Sequence, residues 1–227
     1  MIFHPIYYLL FLALGVSIWA QFKVKGNFNK WSQIETQTGL SGANVARKIL
    51  NSNGLHHISI EAIQGSLSDN YDPIQKVIRL SESVYYGRSI ASVSHEVGHA
   101  IQHLRSYPAL VIRHRIFPFV NLASGIAPFL FGGGMLLGQL SVSGIGIIFF
   151  SVAVVFQLVT LPVEFDASKR ARNLMLTEGI LYKSEEKGVK KVLNAVALKY
   201  VAATIISVFE IIKFVLLFFQ GKQKEEH

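Results

Sequence analysis

From Ile116 to Val163 the chain runs through 48 residues without one Asp, Glu, Lys or Arg. As a single helix rising 1.5 Å per residue, this stretch would be about 72 Å long, more than twice a hydrocarbon core of about 30 Å. It must therefore fold back into two membrane spans. The least apolar segment, 139–144, marks the break and places spans at 117–138 and 144–163. A hairpin of this kind returns the chain to the face it left, so residues before 116 and after 163 share one side. Gly132-Gly133-Gly134 lies inside the first span. It reads either as a site of close helix packing, which small residues favour in membranes, or as a locally irregular, hinged helix.

Two more stretches extend the pattern. Residues 5–22 form an apolar run followed at once by Lys23 and Lys25, with no Lys or Arg before it. A cleaved signal would carry its positive charge first, so this reads as an uncleaved anchor. Residues 200–219 are apolar but carry Glu210 and Lys213 one turn apart, where they can pair and offset the burial of either charge. A fourth span fits there, with an interfacial helix as the alternative. Eleven Lys and Arg fall in 23–115 and seven in 164–197, with none before the first span or inside the hairpin. The positive-inside rule then puts both segments in the cytoplasm of a multi-pass cell-membrane protein. Only 16% of residues are charged, against about 25% in soluble domains. The net charge of +8 comes without a basic run interleaved with aromatics or any zinc-finger spacing, so it reports orientation and lipid contact rather than nucleic acid. There are no cysteines, which excludes disulfides, thiol catalysis and Cys-ligated zinc.

The chemistry is concentrated in His95-Glu96-Val97-Gly98-His99. On a helix, positions i and i+4 share a face, so the two imidazoles can grip one metal ion while Glu96 reaches a water bound to it. Zinc lowers the pKa of that water towards neutrality, and a carboxylate can take its proton during attack on a carbonyl. The bland reading is an amphipathic surface helix that happens to carry two histidines. Against it stand the small residues Ala91, Ser92, Gly98 and Ala100, which let another element approach closely, although tight packing alone needs them too.

Catalytic zinc takes three protein ligands, and the pentad supplies two. Glu164 is the first charge after the neutral stretch, at the cytoplasmic end of the third span, where a carboxylate is costly unless paired or bound to metal. It is the leading third ligand, with Asp166 the runner-up. Ser168, one turn beyond Glu164, and Asp166 are also placed to receive the outer ring N–H of a ligating histidine. Lys169, Arg170 and Arg172 read as membrane-interface anchors. His103, four residues after His99, is a further outer candidate.

His95 to Gln102 (HEVGHAIQ) together with Leu161 to Ser168 (LPVEFDAS) closely resembles the YugP-type bacterial membrane zinc metallopeptidases. The resemblance extends to Phe3-His4-Pro5, to Trp19 to Val24, to Asp69 to Pro73 and to Val84 to Gly87. It implies one Zn²⁺ per chain on His95, His99 and Glu164, a gluzincin-like set, with Glu96 as general base. More distantly the chain looks like the HtpX-like and CaaX-processing membrane proteases, whose third ligand lies in Glu-x-x-Ala-Asp. Here Ser168 stands where that Asp would be, which puts the outer partner of the site in question.

Before the pentad, residues 40–53 read as a helix capped by Ser41, with Ala43, Val45, Ala46, Ile49 and Leu50 on its apolar face. Residues 58–63 and 76–80 alternate as strands around the turn-rich Asp69-Asn70-Tyr71-Asp72-Pro73. They predict either a plain hairpin or an edge that binds extended peptide by β-addition. Tyr71 is a candidate donor to the tetrahedral intermediate, though a tyrosine in a turn is more often simply packed. Residues 178–191 read as a solvated connection.

The expected fold is a mainly α membrane protein, with about four transmembrane helices and a small cytoplasmic α+β zincin-like layer. Its organisation is an anchor (1–22), a cytoplasmic α+β segment bearing the pentad (23–115), a membrane hairpin (116–163), a cytoplasmic segment bearing Glu164 (164–199) and a C-terminal span with tail (200–227). The expected activity is zinc-dependent peptide hydrolysis at the cytoplasmic membrane face, on a peptide or membrane-protein substrate and without nucleic acid. The alternatives are intramembrane cleavage and a non-enzymatic scaffold with a residual zinc site. Substrate identity and oligomeric state are not encoded in any of these features.

Overall fold

The computed structural model describes residues 38–65, 68–88 and 90–225, with isolated positions between 8 and 26. The anchor expected at 5–22 lies largely outside the described residues. The chain divides into two compact units, one of Met1–Phe22, Ile112–Leu161 and Lys199–His227, the other of Lys23–Val111 and Pro162–Leu198.

The apolar unit is helical. Helix α4 (Pro108–Leu136), α5 (Leu140–Thr177) and α6 (Glu186–Glu225) are the long elements that supply it. Among the described residues these three are long and apolar enough to cross a membrane; four spans were expected, and the one expected at 5–22 lies largely outside the described residues. The turn between α4 and α5 falls at residues 137–139, just ahead of the break read from the sequence at 139–144, and Gly138 adopts a left-handed φ of 66° there. Helix α4 is continuous through the triple glycine, and of the three only Gly134 sits at a close helix contact. A Cβ on Gly134 would lie 2.5 Å from Ser143 Oγ, and one on Gly146 2.6 Å from the Phe131 amide nitrogen. The expected Glu210–Lys213 pair forms within α6. Phe214 stacks on Phe131 with ring centroids 4.2 Å apart, tying α6 to α4.

Neither α5 nor α6 stops where its apolar run stops. Helix α5 has 38 residues, about 57 Å at 1.5 Å per residue, and it carries its last turns, with Glu164 to Met175, into the second unit.

The second unit is a small α+β body. Helix α1 (Gly42–Ser52) starts at Ser41, whose hydroxyl accepts from the Asn44 N–H at 3.4 Å, and buries Val45, Ala46, Ile49 and Leu50 as its spacing predicts. Strands β1 (Ser59–Ile63), β2 (Asn70–Asp72) and β3 (Val77–Ser81) form a sheet in the order β1-β3-β2. This corrects the hairpin expectation: β1 pairs with β3 in parallel, Ser59 against Val77 through Ile63 against Ser81. The antiparallel partner of β3 is β2, from the segment read as a turn. The reason lies in burial, since four of the five β3 residues are buried and β1 is mostly open. A strand buried like β3 belongs in the middle of a sheet. It is therefore closed to β-addition, and only β1 and β2 are edges.

The Asp72 carboxylate shapes the β2–β3 turn by accepting from the Ile74 and Gln75 amides at 2.9 and 3.0 Å. Asp69 accepts from the Ser81 amide and hydroxyl and from Ser92 Oγ at 2.7, 2.9 and 2.6 Å. It thereby ties the sheet to the helix that follows the short α2 (Glu82–Tyr85).

That helix is α3 (Ile90–Leu104). Every residue from Ile90 to Gln102 is buried, which rules out the amphipathic surface helix. It shares one buried cluster with Ile49, Leu50, Ile78 and Leu80 and with Ala171, Met175, Ile180 and Leu193. Ile180, Leu181 and Val189 are core residues, so residues 178–191 are not a solvated connection. They bring these three side chains into the same buried cluster as Ala171, Met175 and Leu193.

Candidate metal centre

The pentad helix and the end of α5 meet at a glycine. Gly98 backs onto Ala167, and a Cβ there would lie 2.6 Å from the Ala167 carbonyl oxygen. This close approach sets Glu164, one turn before Ser168, beside the histidine face of α3. His95, His99 and Glu164 are all buried, at 1%, 8% and 0% exposure.

Their donor atoms converge. His95 Nε2 lies 3.0 Å from Glu164 Oε2, His99 Nε2 lies 3.5 Å from the same oxygen, and the two Nε2 atoms are 3.2 Å apart. Ligands at 2.0–2.1 Å around a tetrahedral zinc are separated from each other by about 3.3 Å. The three measured distances bracket that value.

The outer ring nitrogens say what kind of group fits between them. His99 Nδ1 lies 3.0 Å from Gln102 Oε1. The Gln102 amide nitrogen donates to the Val163 carbonyl and to Asp166 Oδ2, both at 2.8 Å. Both of those partners only accept, so the amide orientation is fixed and its oxygen accepts from His99 Nδ1–H. A neutral His99 then turns a bare Nε2 lone pair inward. His95 Nδ1 lies 3.1 Å from Ser168 Oγ, which donates to the Leu193 carbonyl at 3.4 Å and so keeps a lone pair for His95 Nδ1–H. Two imidazole lone pairs and a carboxylate aimed at one point repel each other unless a cation lies among them. Nitrogen and oxygen donors without sulfur suit zinc.

The sequence-derived residues are thus distributed as follows. His95, His99 and Glu164 come together as a set that can hold a metal. Glu96, the next residue on α3, is buried at 8% exposure. Ser168 touches His95. Asp166 is not a donor to the cluster; it accepts from Gln102 and pairs with Arg170. Tyr71 and His103 are paired with each other, hydroxyl to Nδ1 at 2.9 Å. Burial, and then the neighbouring Asp72 charge, push the Tyr71 hydroxyl up to about 12, so it keeps its proton at neutral pH. Gln102 was missed in the sequence. Its signal was its position three residues after His99, on the same helical face.

Residues 6–219 match the family model described as "Putative neutral zinc metallopeptidase". The chain is also similar to "Putative membrane protease YugP" of Bacillus subtilis (strain 168), with 57% identity over 220 residues, 96% of this chain and 98% of that protein. No solved structure matches it.

Proposed function

Since the chain belongs to this neutral zinc metallopeptidase family, we propose that it is a membrane-embedded zinc endopeptidase that cuts peptide bonds at the cytoplasmic membrane face. The observation that carries the reading is the convergence of His95, His99 and Glu164 at tetrahedral spacing from two helices far apart in sequence. These residues hold one zinc ion per chain. When bound, the ion supplies Lewis-acid polarisation of the scissile carbonyl and makes water acidic enough to attack near neutral pH.

Glu96 is the general base. It takes a proton from the attacking water as the water oxygen bonds to the carbonyl carbon. It then passes that proton to the leaving amine as the C–N bond breaks. Ser168 and Gln102 hold the outer N–H of each histidine and so keep both Nε2 lone pairs aimed inward. The face of the membrane follows from the Lys and Arg distribution around the hairpin. Substrates are peptides or membrane proteins. Cleavage outside the bilayer core is favoured over intramembrane cleavage because the pentad helix, Ile90–Leu104, is separate from the three apolar helices.

The test uses full-length protein in lipid. Wild type should hold about one zinc per chain, Glu164→Ala and His95→Ala should lose it, and Glu96→Gln should keep it while losing peptide cleavage. Normal cleavage by Glu96→Gln sinks the protease reading. A metal-free wild type sinks the zinc reading.

A further inference from the structure

Two ligand histidines four residues apart on one helix look equivalent in sequence, yet their supports differ. His95 leans on a hydroxyl, Ser168 Oγ. His99 leans on Gln102 Oε1, and Gln102 is itself held at both amide hydrogens. Its second anchor, Asp166, also pairs with Arg170 four residues on. The Arg170 guanidinium in turn sits 5.7 Å over the Tyr107 ring, at the residue just before α4. Tyr107 gives its own amide N–H to the Gln102 carbonyl at 2.9 Å, closing the path back onto α3. Gln102 is fully buried at 0% exposure. His95 also meets α5 at two points, Ser168 and Glu164; Gln102 instead meets it on both sides of Glu164, at Val163 and Asp166.

We propose that Gln102 is the positioning residue of the metal centre: it fixes the His99 tautomer and clasps α5 so that Glu164 stays in reach of the metal. The two effects come from opposite ends of one amide. The oxygen accepts the His99 Nδ1–H and leaves Nε2 free to ligate. The nitrogen grips Val163, the residue before Glu164, and Asp166, two residues after it. Glu164 is thereby bracketed on its own helix by the same side chain that orients His99. Arg170 keeps the Asp166 charge neutralised, so the clasp adds no net negative charge beside the site. Removing such outer partners lowers metal affinity by about 10- to 100-fold. The proposal rests on the zinc reading above, and its test separates the two.

Zinc affinity is measured by competition with a chelator, and the melting temperature is measured on metal-free protein, both on the full chain in lipid. Gln102→Met keeps the side-chain length and loses every hydrogen bond. It should weaken zinc at least about tenfold while the metal-free protein still melts cooperatively. Asp166→Ala frees only one end of the clasp and should weaken zinc by a smaller factor than Gln102→Met does. It remains usable should Gln102→Met fail to fold. Gln102→Glu sets two carboxylates face to face and should also weaken zinc. Gln102→Glu with Asp166→Asn keeps the acceptor for His99, regains one donor–acceptor contact to α5 from the Asn amide, and should recover most of the affinity.

If wild type binds zinc and Gln102→Met binds it equally tightly, the inference falls alone. It falls likewise if the double variant is no better than Gln102→Glu. If metal-free stability drops and zinc affinity of the folded protein does not, Gln102 is only a packing residue and the positioning role is refuted. If wild type binds no zinc, the failure lies in the metal reading itself.

Discussion

Gly98→Ala is the sharpest probe of how the site is assembled, because it adds one methyl group where α3 meets α5 and touches no ligand. The new Cβ would lie 2.6 Å from the Ala167 oxygen, 3.2 Å from its carbonyl carbon and 3.3 Å from its Cα. All three are backbone atoms and none can swing aside. An ordinary carbon contact is about 3.5 Å, so the helices must part locally by about 0.9 Å. His95 and His99 both move with α3 and keep their mutual 3.2 Å. Glu164 moves with α5 and is left behind. Metal–ligand distances tolerate about 0.2 Å, so the third ligand is lost while the first two remain. The fold suffers less: overpacking costs about 1–3 kcal/mol, and replacing a helical glycine returns about 1 kcal/mol. Gly98→Ala should therefore melt within a few degrees of wild type when metal-free, yet bind zinc at least about a hundredfold more weakly. Peptide cleavage should fall with it. Gly132→Ala and Gly133→Ala, whose Cβ atoms would meet nothing within 4 Å, serve as controls and should leave zinc affinity unchanged. Wild-type zinc affinity in Gly98→Ala would refute the claim that close helix approach delivers Glu164.

Other perturbations test the surroundings. Thr160 is buried at 1% exposure with a hydroxyl that has no hydrogen-bond partner, so Thr160→Val should stabilise the protein by about 1 kcal/mol, read as a higher melting temperature in lipid. Asp69→Ala strips the acceptor from the Ser81 amide and from the Ser81 and Ser92 hydroxyls; it should cost about 2–3 kcal/mol and increase hydrogen exchange across β3. Tyr71, raised to about 12, favours the folded state in its neutral form. Its contribution is complete below the ordinary tyrosine pKa near 10 and is lost as pH rises from there towards 12. Denaturant titrations across that range should show a steeper alkaline loss in wild type than in Tyr71→Phe.

Local patterns and chain topology were legible in the sequence to different degrees. The break near residue 139 could be read because hydrocarbon thickness imposes a length that a neutral stretch either fits or exceeds. The meeting of His95 and His99 could be read because they are four residues apart on one helix. Glu164 could be read because a lone carboxylate after 48 neutral residues needs a reason to be there. The β1–β3 pairing could not, because alternation in Val77–Ser81 says nothing about which neighbour the strand takes or in which direction. That choice is made by burial on both faces, a property of the assembled body. Residues 178–191 misled for a similar reason: their charges are obvious in sequence, whereas Ile180, Leu181 and Val189 count only once there is a core to enter. Gln102 looked like any polar residue on a helix until Val163 and Asp166 came within reach.

The donors on α3 and the donor on α5 are separated by the whole of α4 and its return. That order has a consequence for how the protein comes into being. A chain halted after α4 has His95, Glu96 and His99 but not Glu164. A chain whose hairpin fails to double back carries Glu164 to the opposite side of the bilayer. In neither case can the three donors meet, whichever side the pentad faces. On the proposed reading, correct membrane insertion is thus a condition of zinc binding written into the connectivity, and a nascent chain is held inactive until it is in place.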